Sequence, residues 1–287
     1  MLVTLSNILE EAYKKRVAVG AFNTVNLSSI RAVIDAAQKL NQPVILQHAQ
    51  IHERVAPLDI IGPVMLQMAK AATVPVCCHL DHGEDITYLL RAMKMGFTSV
   101  MYDGSTLNYD ENVKNTREVV QAAAEFGVSV EAELGRVLRP EGGAVETVEE
   151  SVLTPEEMYT KPDEARAFVK ATGIDALAIA FGTAHGLYDA EPKLDFRRIA
   201  EIREAVSMPL VMHGGSGVCD LDFKKAIAEG ITKVNYFTYM SLAGGNAVKG
   251  FLKQNEKRSD VRYDEMAEAA RIGMEADVSH AIEVFVS

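Results

Sequence analysis

The chain has 287 residues, 48% of them hydrophobic and 24% charged, with a formal net charge of −11 at pH 7. Such a composition supplies ample core, and the acidic balance excludes electrostatic binding of nucleic acid or of an anionic membrane surface. Cys77, Cys78 and Cys219 are too few and too badly spaced for a disulfide framework or a cysteine-rich zinc site. Residues 1–7 carry no signal pattern and no apolar run approaches a membrane span, so a soluble cytoplasmic protein with reduced thiols is expected.

In chain order, a first helix is predicted over residues 5–15, followed by strand 1 (18–23) and a helix over 28–40. Strand 2 (43–48) leads to a helix over 58–72, and strand 3 (74–83) to a helix over 86–95 with Gly96 as its stop. Strand 4 (99–103) precedes a long amphipathic helix over 111–126, and strand 5 (129–135) precedes a Gly- and Glu-rich stretch, 136–161. A loop of that length in a compact domain is usually functional. A helix over 163–172, strand 6 (176–181), a helix over 196–206, strand 7 (209–212), a helix over 221–229 and strand 8 (233–237) complete the pattern. From residue 241 to 287 the chain reads as a C-terminal helical extension. Eight strand–helix units with continuous apolar strands predict an α/β fold: one domain over 1–287, a parallel (β/α)8 TIM barrel with additional N- and C-terminal helices.

In such a barrel, site residues lie at the C-terminal ends of the strands. Asp81, His82, Asp103, Glu133, His185, His213 and Asn235 all fall there. His82, His185 and His213 each follow an apolar run and precede glycine, which suits a three-imidazole catalytic zinc site with open positions. Asp81 beside His82 places a proton-transfer group next to that metal. Asp103 and Glu133 either serve a second cation or tune the histidines from outside. His79 reads as core, and Glu131 as an inward packing or salt-bridge residue. Gly214, Gly215 and Ser216 open a helix N-terminus after strand 7, a favoured phosphate position, and Gly186 and Thr238 can complete the cradle. A metal beside a phosphate cradle suits enolate chemistry on a phosphorylated ketone. No predicted strand ends in lysine, since Lys233 opens strand 8 at the wrong end, which argues against a Schiff base.

Seven segments together resemble the class II, zinc-dependent ketose-bisphosphate aldolases, the fructose- and tagatose-bisphosphate aldolase family. They are 21–23 (AFN), 79–83 (HLDHG), 131–135 (EAELG), 159–160 (YT), 182–186 (GTAHG), 213–217 (HGGSG) and 233–235 (KVN). The resemblance implies zinc on His82, His185 and His213, with Asp81 exchanging the proton of the nascent alkoxide. It implies dihydroxyacetone phosphate on Gly186, Gly214, Gly215, Ser216, Asn235, Tyr236, Phe237 and Thr238, and a secondary metal site at Asp103 and Glu133. It further implies an assisting monovalent cation (Na+ or K+) and a homodimer or homotetramer. The expected reaction is reversible cleavage of a ketose 1,6-bisphosphate, by default fructose 1,6-bisphosphate, to dihydroxyacetone phosphate and an aldehyde through a metal-stabilised enediolate. Tagatose bisphosphate or another ketose phosphate is the alternative substrate. A non-catalytic stabilising subunit is the alternative role, and a metal-dependent hydrolase leaves the phosphate loop unexplained. The chain departs from the family pattern in three places. The C3 base on the loop after strand 5 is Glu141 by gapless counting and Glu146 by aligned glycines. Phe237 stands where small, acidic or amide residues are common, and residues 48–50 (HAQ) replace small hydroxylated ones. The last two changes lie on the aldehyde side.

Overall fold

The computed structural model describes residues 1–137, 154–186 and 192–287. Eight parallel strands, β1 (Val19–Asn23), β2 (Val44–Ala49), β3 (Val76–Gly83), β4 (Ser99–Tyr102), β5 (Ser129–Leu134), β6 (Ala176–Ile179), β7 (Leu210–Met212) and β8 (Ile231–Tyr236), form a closed barrel in sequence order. Pairing of Ala21 with both Ile45 and Asn235 closes the ring between β8 and β2 through β1. The helices are α1 (Leu5–Lys15), α2 (Leu27–Leu40), α3 (Leu58–Ala71), α4 (Ile86–Met95), α5 (Tyr109–Phe126), α6 (Pro155–Met158), α7 (Pro162–Thr172), α8 (Phe196–Val206), α9 (Asp220–Glu229), α10 (Thr238–Gln254) and α11 (Tyr263–Phe285). Local chemistry fixes their ends. Asn26 and Ser29 form a capping box on α2, Asn108 accepts from the Glu111 amide at 3.0 Å, and Asp195 accepts from the Arg198 amide at 3.1 Å.

Every strand is buried on both faces because helices cover the outside and side chains fill the inside. The outer layer buries Phe22, Phe97, Phe168, Phe181 and Phe285 completely, each worth about 1.5–3 kcal/mol of transfer free energy. Inside, α1 stoppers the N-terminal end: Leu5, Ile8 and Leu9 pack on Val19, Ala21, Ile45, Cys77, Ala176, Ala178 and Val211. Ser6 anchors this plug by donating to Asp175 at 2.7 Å, and Asp175 also accepts from the Val130 amide at 2.7 Å. Above that apolar layer the interior turns polar, with Gln47, His79, Glu131 and Lys233 all fully buried. The apolar stopper thus pushes all interior polarity toward the C-terminal mouth.

The strand and helix order agrees with the sequence expectation, and the differences are local. β8 begins at Ile231, where it pairs with Leu210, so Lys233 is its third residue and lies wholly buried rather than opening the strand. The C-terminal extension starts earlier than expected, with α10 at Thr238, and consists of two helices. α11 packs on α2 and α10, and the Ala18 amide donates to the Phe285 carbonyl at 3.0 Å. A 3-10 turn (Gln50–His52) and the short α6 carry no periodicity and were not expected. No helix among the described residues is long and apolar enough to cross a membrane.

Candidate active site

Alternation along a strand carries Cys77, His79 and Asp81 into the barrel and would turn His82 outward. Instead the β3–β4 register slips between Leu80 and Gly83, and His82 takes a left-handed backbone with φ of 46°. Positive φ at a non-glycine residue costs about 1–3 kcal/mol and persists only where surroundings enforce it. Here the strain turns a second consecutive side chain into the mouth. His185 follows β6 and His213 follows β7, so three imidazoles converge with ring centroids 4.7 to 5.8 Å apart.

One nitrogen from each of the three lies within 4.8 Å of the others. Tetrahedral zinc with Zn–N near 2.1 Å needs them about 3.4 Å apart, which small side-chain adjustments supply. The outer nitrogens of His82 and His213 are already assigned. His82 Nδ1 is 2.7 Å from Asp103 Oδ2, leaving Nε2 inward, 4.0 Å from Asp81 Oδ1. His213 Nε2 is 2.9 Å from Glu131 Oε1, leaving Nδ1 inward, 3.3 Å from Glu133 Oε2. A carboxylate on the outer nitrogen fixes tautomer and ring direction, as at many zinc centres. The donor set and its supports therefore fit zinc. His82, Asp103 and Glu133 form a second group with ligand atoms within 4.8 Å, but Asp103 is also committed to Ser105, whose hydroxyl donates at 2.6 Å.

Asp81 lies at the centre and is almost fully buried. Its Oδ2 accepts from Asn23 Nδ2 at 2.9 Å and its Oδ1 from Asn235 Nδ2 at 3.0 Å. Asn23 is in turn held by Gln47, which donates to its Oδ1 at 3.2 Å. Burial alone would raise the Asp81 carboxyl, but the charges of His82, His213 and Lys233 outweigh it and hold it well below the usual carboxylate range. Burial lowers His82 likewise, and Asp81 and Asp103 overcome that to push it up to about 10 in the metal-free chain. These carboxylates make the mouth a place for positive charge.

The layer below braces the site. Glu131 Oε2 accepts from Lys233 Nζ at 2.8 Å and lies 3.7 Å from His79 Nε2. Burial would raise Glu131, and Lys233 brings it down to about 2. Lys233 is thus locked in the barrel interior by a carboxylate, away from the mouth.

The loop after β7 is shaped by close approach. Gly214 has φ of 67°, and a Cβ there would stand 2.2 Å from the Ala184 carbonyl oxygen. A Cβ on Gly215 would meet the Asn235 carbonyl at 2.8 Å. Ser216 Oγ accepts from the Phe237 amide at 3.2 Å, which joins this loop to the start of α10. Gly186 adjoins His185, and Thr238 opens α10. Tyr236 departs from the expected set: its ring packs outward against Phe22 and Phe285 at 5.9 and 6.4 Å. Alternation explains this, because Asn235 takes the inward position. Glu141 and Glu146 lie outside the described residues.

Three side chains of the site carried no assigned role in the sequence. Asn23 was discoverable, since the inward positions of β1 are Val19, Ala21 and Asn23. Gln47 was discoverable by the same parity in β2. Ser105, beyond the end of β4, gave no signal.

A family model described as fructose-bisphosphate aldolase class-II matches residues 3–287. A sulfofructosephosphate aldolase from Alkalicoccus urumqiensis is 37% identical over 280 residues, covering 98% of this chain and 95% of that protein. The crystal structure of the YdjI aldolase from Escherichia coli K12 superposes with a TM-score of 0.86 at 34% identity, covering 99% and 97% of the two chains. A fructose-bisphosphate aldolase from Campylobacter jejuni, 24% identical over 99% of this chain and 95% of its own, shares the fold with a TM-score of 0.80.

Proposed function

The chain belongs to the class II fructose-bisphosphate aldolase family and is a carbon–carbon lyase, and within that family we propose that it cleaves a ketose 1-phosphate to dihydroxyacetone phosphate and an aldehyde. The observation that carries this reading is the convergence of His82, His185 and His213 beside a buried Asp81 gripped by two amides. These three imidazoles would hold zinc, which supplies Lewis acidity toward the ketone oxygen.

The chain's own residues account for the rest. The backbone around Gly186, Gly214, Gly215 and Ser216 and the start of α10 at Thr238 would hold the C1 phosphate through N–H groups. Asn23 and Asn235 orient Asp81, which is ionised at neutral pH and so ready to take the C4 hydroxyl proton during cleavage and return it during condensation. Asn235 also borders the C2–C3 region. Proton transfer at C3 falls to Glu141 or Glu146. Asp103 and Glu133 would steady His82 and His213, or hold a second divalent ion, with a monovalent cation assisting the phosphate. The family resemblance supports a homodimer or homotetramer.

Fructose 1,6-bisphosphate is the reference substrate. A second reading, a sulfofructose phosphate, is favoured by the 37% identical relative that acts on one and by the departures at Phe237 and residues 48–50, all on the aldehyde side. The decisive experiment is hydrogen–deuterium exchange at C3 of dihydroxyacetone phosphate, run with zinc and after chelation. Exchange that needs zinc is expected. A zinc-loaded protein that leaves C3 unexchanged would instead fit a non-catalytic subunit.

A further inference from the structure

The ketone half of the proposed substrate runs from the β7–β8 loops to the three imidazoles, so the aldehyde half must continue past Asp81 toward β1 and β2. The wall there is built from two rings. His52 ends the 3-10 turn that follows β2, and Phe237 follows β8; their ring centroids are 4.8 Å apart. β1 lies between β8 and β2, so this contact spans the mouth across the end of β1, beside Asn23 and Asp81.

The position of His52 is set by backbone, not by chance packing. Ala49 is the register partner of Asp81, so the turn starts level with the proposed proton-transfer group. Gln50 Oε1 accepts from the Glu84 amide at 3.1 Å, pinning the turn to the end of β3. The His52 carbonyl accepts from the Val55 and Ala56 amides, both at 2.8 Å. His48 differs: its Nε2 is 2.9 Å from the Tyr88 hydroxyl, which itself donates to Glu53. His52 Nδ1 is buried and has no hydrogen-bond partner among the described residues. Burial holds the ring below its ordinary pKa while the Asp81 charge acts the other way, so the imidazole is neutral and feels Asp81. A neutral imidazole still carries one N–H.

We propose that His52, backed by Phe237, determines specificity for the aldehyde half by donating a ring N–H to an oxyanion, sulfonate or phosphate, at its far end. This rests on the aldolase reading above. A hydrogen bond to a charged group is roughly twice as strong as one to a neutral group, so the effect must grow with the charge of the acceptor. Phe237 supplies the apolar backing that keeps water off the bond and limits the size of the distal group.

The test compares His52→Leu and His52→Gln with the native enzyme in condensation of dihydroxyacetone phosphate with glyceraldehyde 3-phosphate, with the equivalent three-carbon sulfonated aldehyde, and with uncharged glyceraldehyde. C3 exchange of dihydroxyacetone phosphate alone is followed in parallel. His52→Leu should lower kcat/KM about tenfold or more for the preferred anionic aldehyde, through KM, and about threefold or less for glyceraldehyde. His52→Gln, which keeps an N–H, should recover most of the loss, and exchange should stay within about twofold. Which of the two anions suffers the larger loss identifies the source. Equal losses on charged and uncharged aldehydes, or none, would overturn the proposal while intact exchange upheld the aldolase. Absence of exchange in the native protein would remove both.

Discussion

Asp81 owes its proposed role to its neighbours more than to its own chemistry. A buried carboxylate with no partners would protonate; two amides and the surrounding positive groups keep this one ionised and fixed. Asp81→Asn preserves volume and can keep one of the two accepted amide hydrogen bonds, but removes the base. Turnover in the cleavage direction should fall by about 10²–10⁴-fold, while zinc content measured on the purified variant stays at the native level. Near-native turnover would take Asp81 out of the proton transfer. His82 illustrates the opposite balance, a residue whose own backbone is unfavourable and which is held there by β3, β4 and Asp103.

At the scale of elements, the β7–α9 loop is the part whose shape leaves least room. Gly214 needs a left-handed backbone and sits against the Ala184 peptide just before His185, so the loop carrying one imidazole supports the segment carrying another. Gly214→Ala adds a methyl group where backbone already stands, and backbone strain and overpacking together should cost about 3 kcal/mol. A fall in Tm of about 5 °C or more is expected, with KM for the phosphorylated ketose raised. An unchanged Tm would show that the two loops move independently.

Across the whole molecule, the barrel stores ionisable groups in its interior, and acid should find them. Burial lowers His79 to about 3, with Lys233 adding to the effect, and lowers His48 to about 4, with His52 adding. A group whose folded pKa is depressed stabilises above its unfolded value, near 6.5, and loses that contribution as pH falls through the folded value. Each histidine therefore removes up to about 1.4 kcal/mol per pH unit between pH 6 and 4.5. Glu131, held near 2, extends the loss below pH 4.5. His82 acts in the opposite sense but only above pH 6.5, outside that window. Urea denaturation of chelator-treated protein at pH 6 and pH 4.5 should show a loss of about 3 kcal/mol, reduced by about half in His79→Gln. Equal stability at the two values would mean that these imidazoles are hydrated.

By itself the sequence determined the barrel, because eight apolar runs spaced by amphipathic helices leave few other ways to bury them. It also determined the rim, since polar residues that end such runs must gather at one mouth. The histidine–glycine pairs and the glycine loop after strand 7 were legible for the same reason. Tertiary structure alone decided which way His82 points, since alternation places it outside and only the register slip against β4 brings it in. It decided that Lys233 is locked to Glu131, and that His52 meets Phe237 across the end of β1. Each of these depends on contacts between segments distant in sequence, and local periodicity carries no record of them.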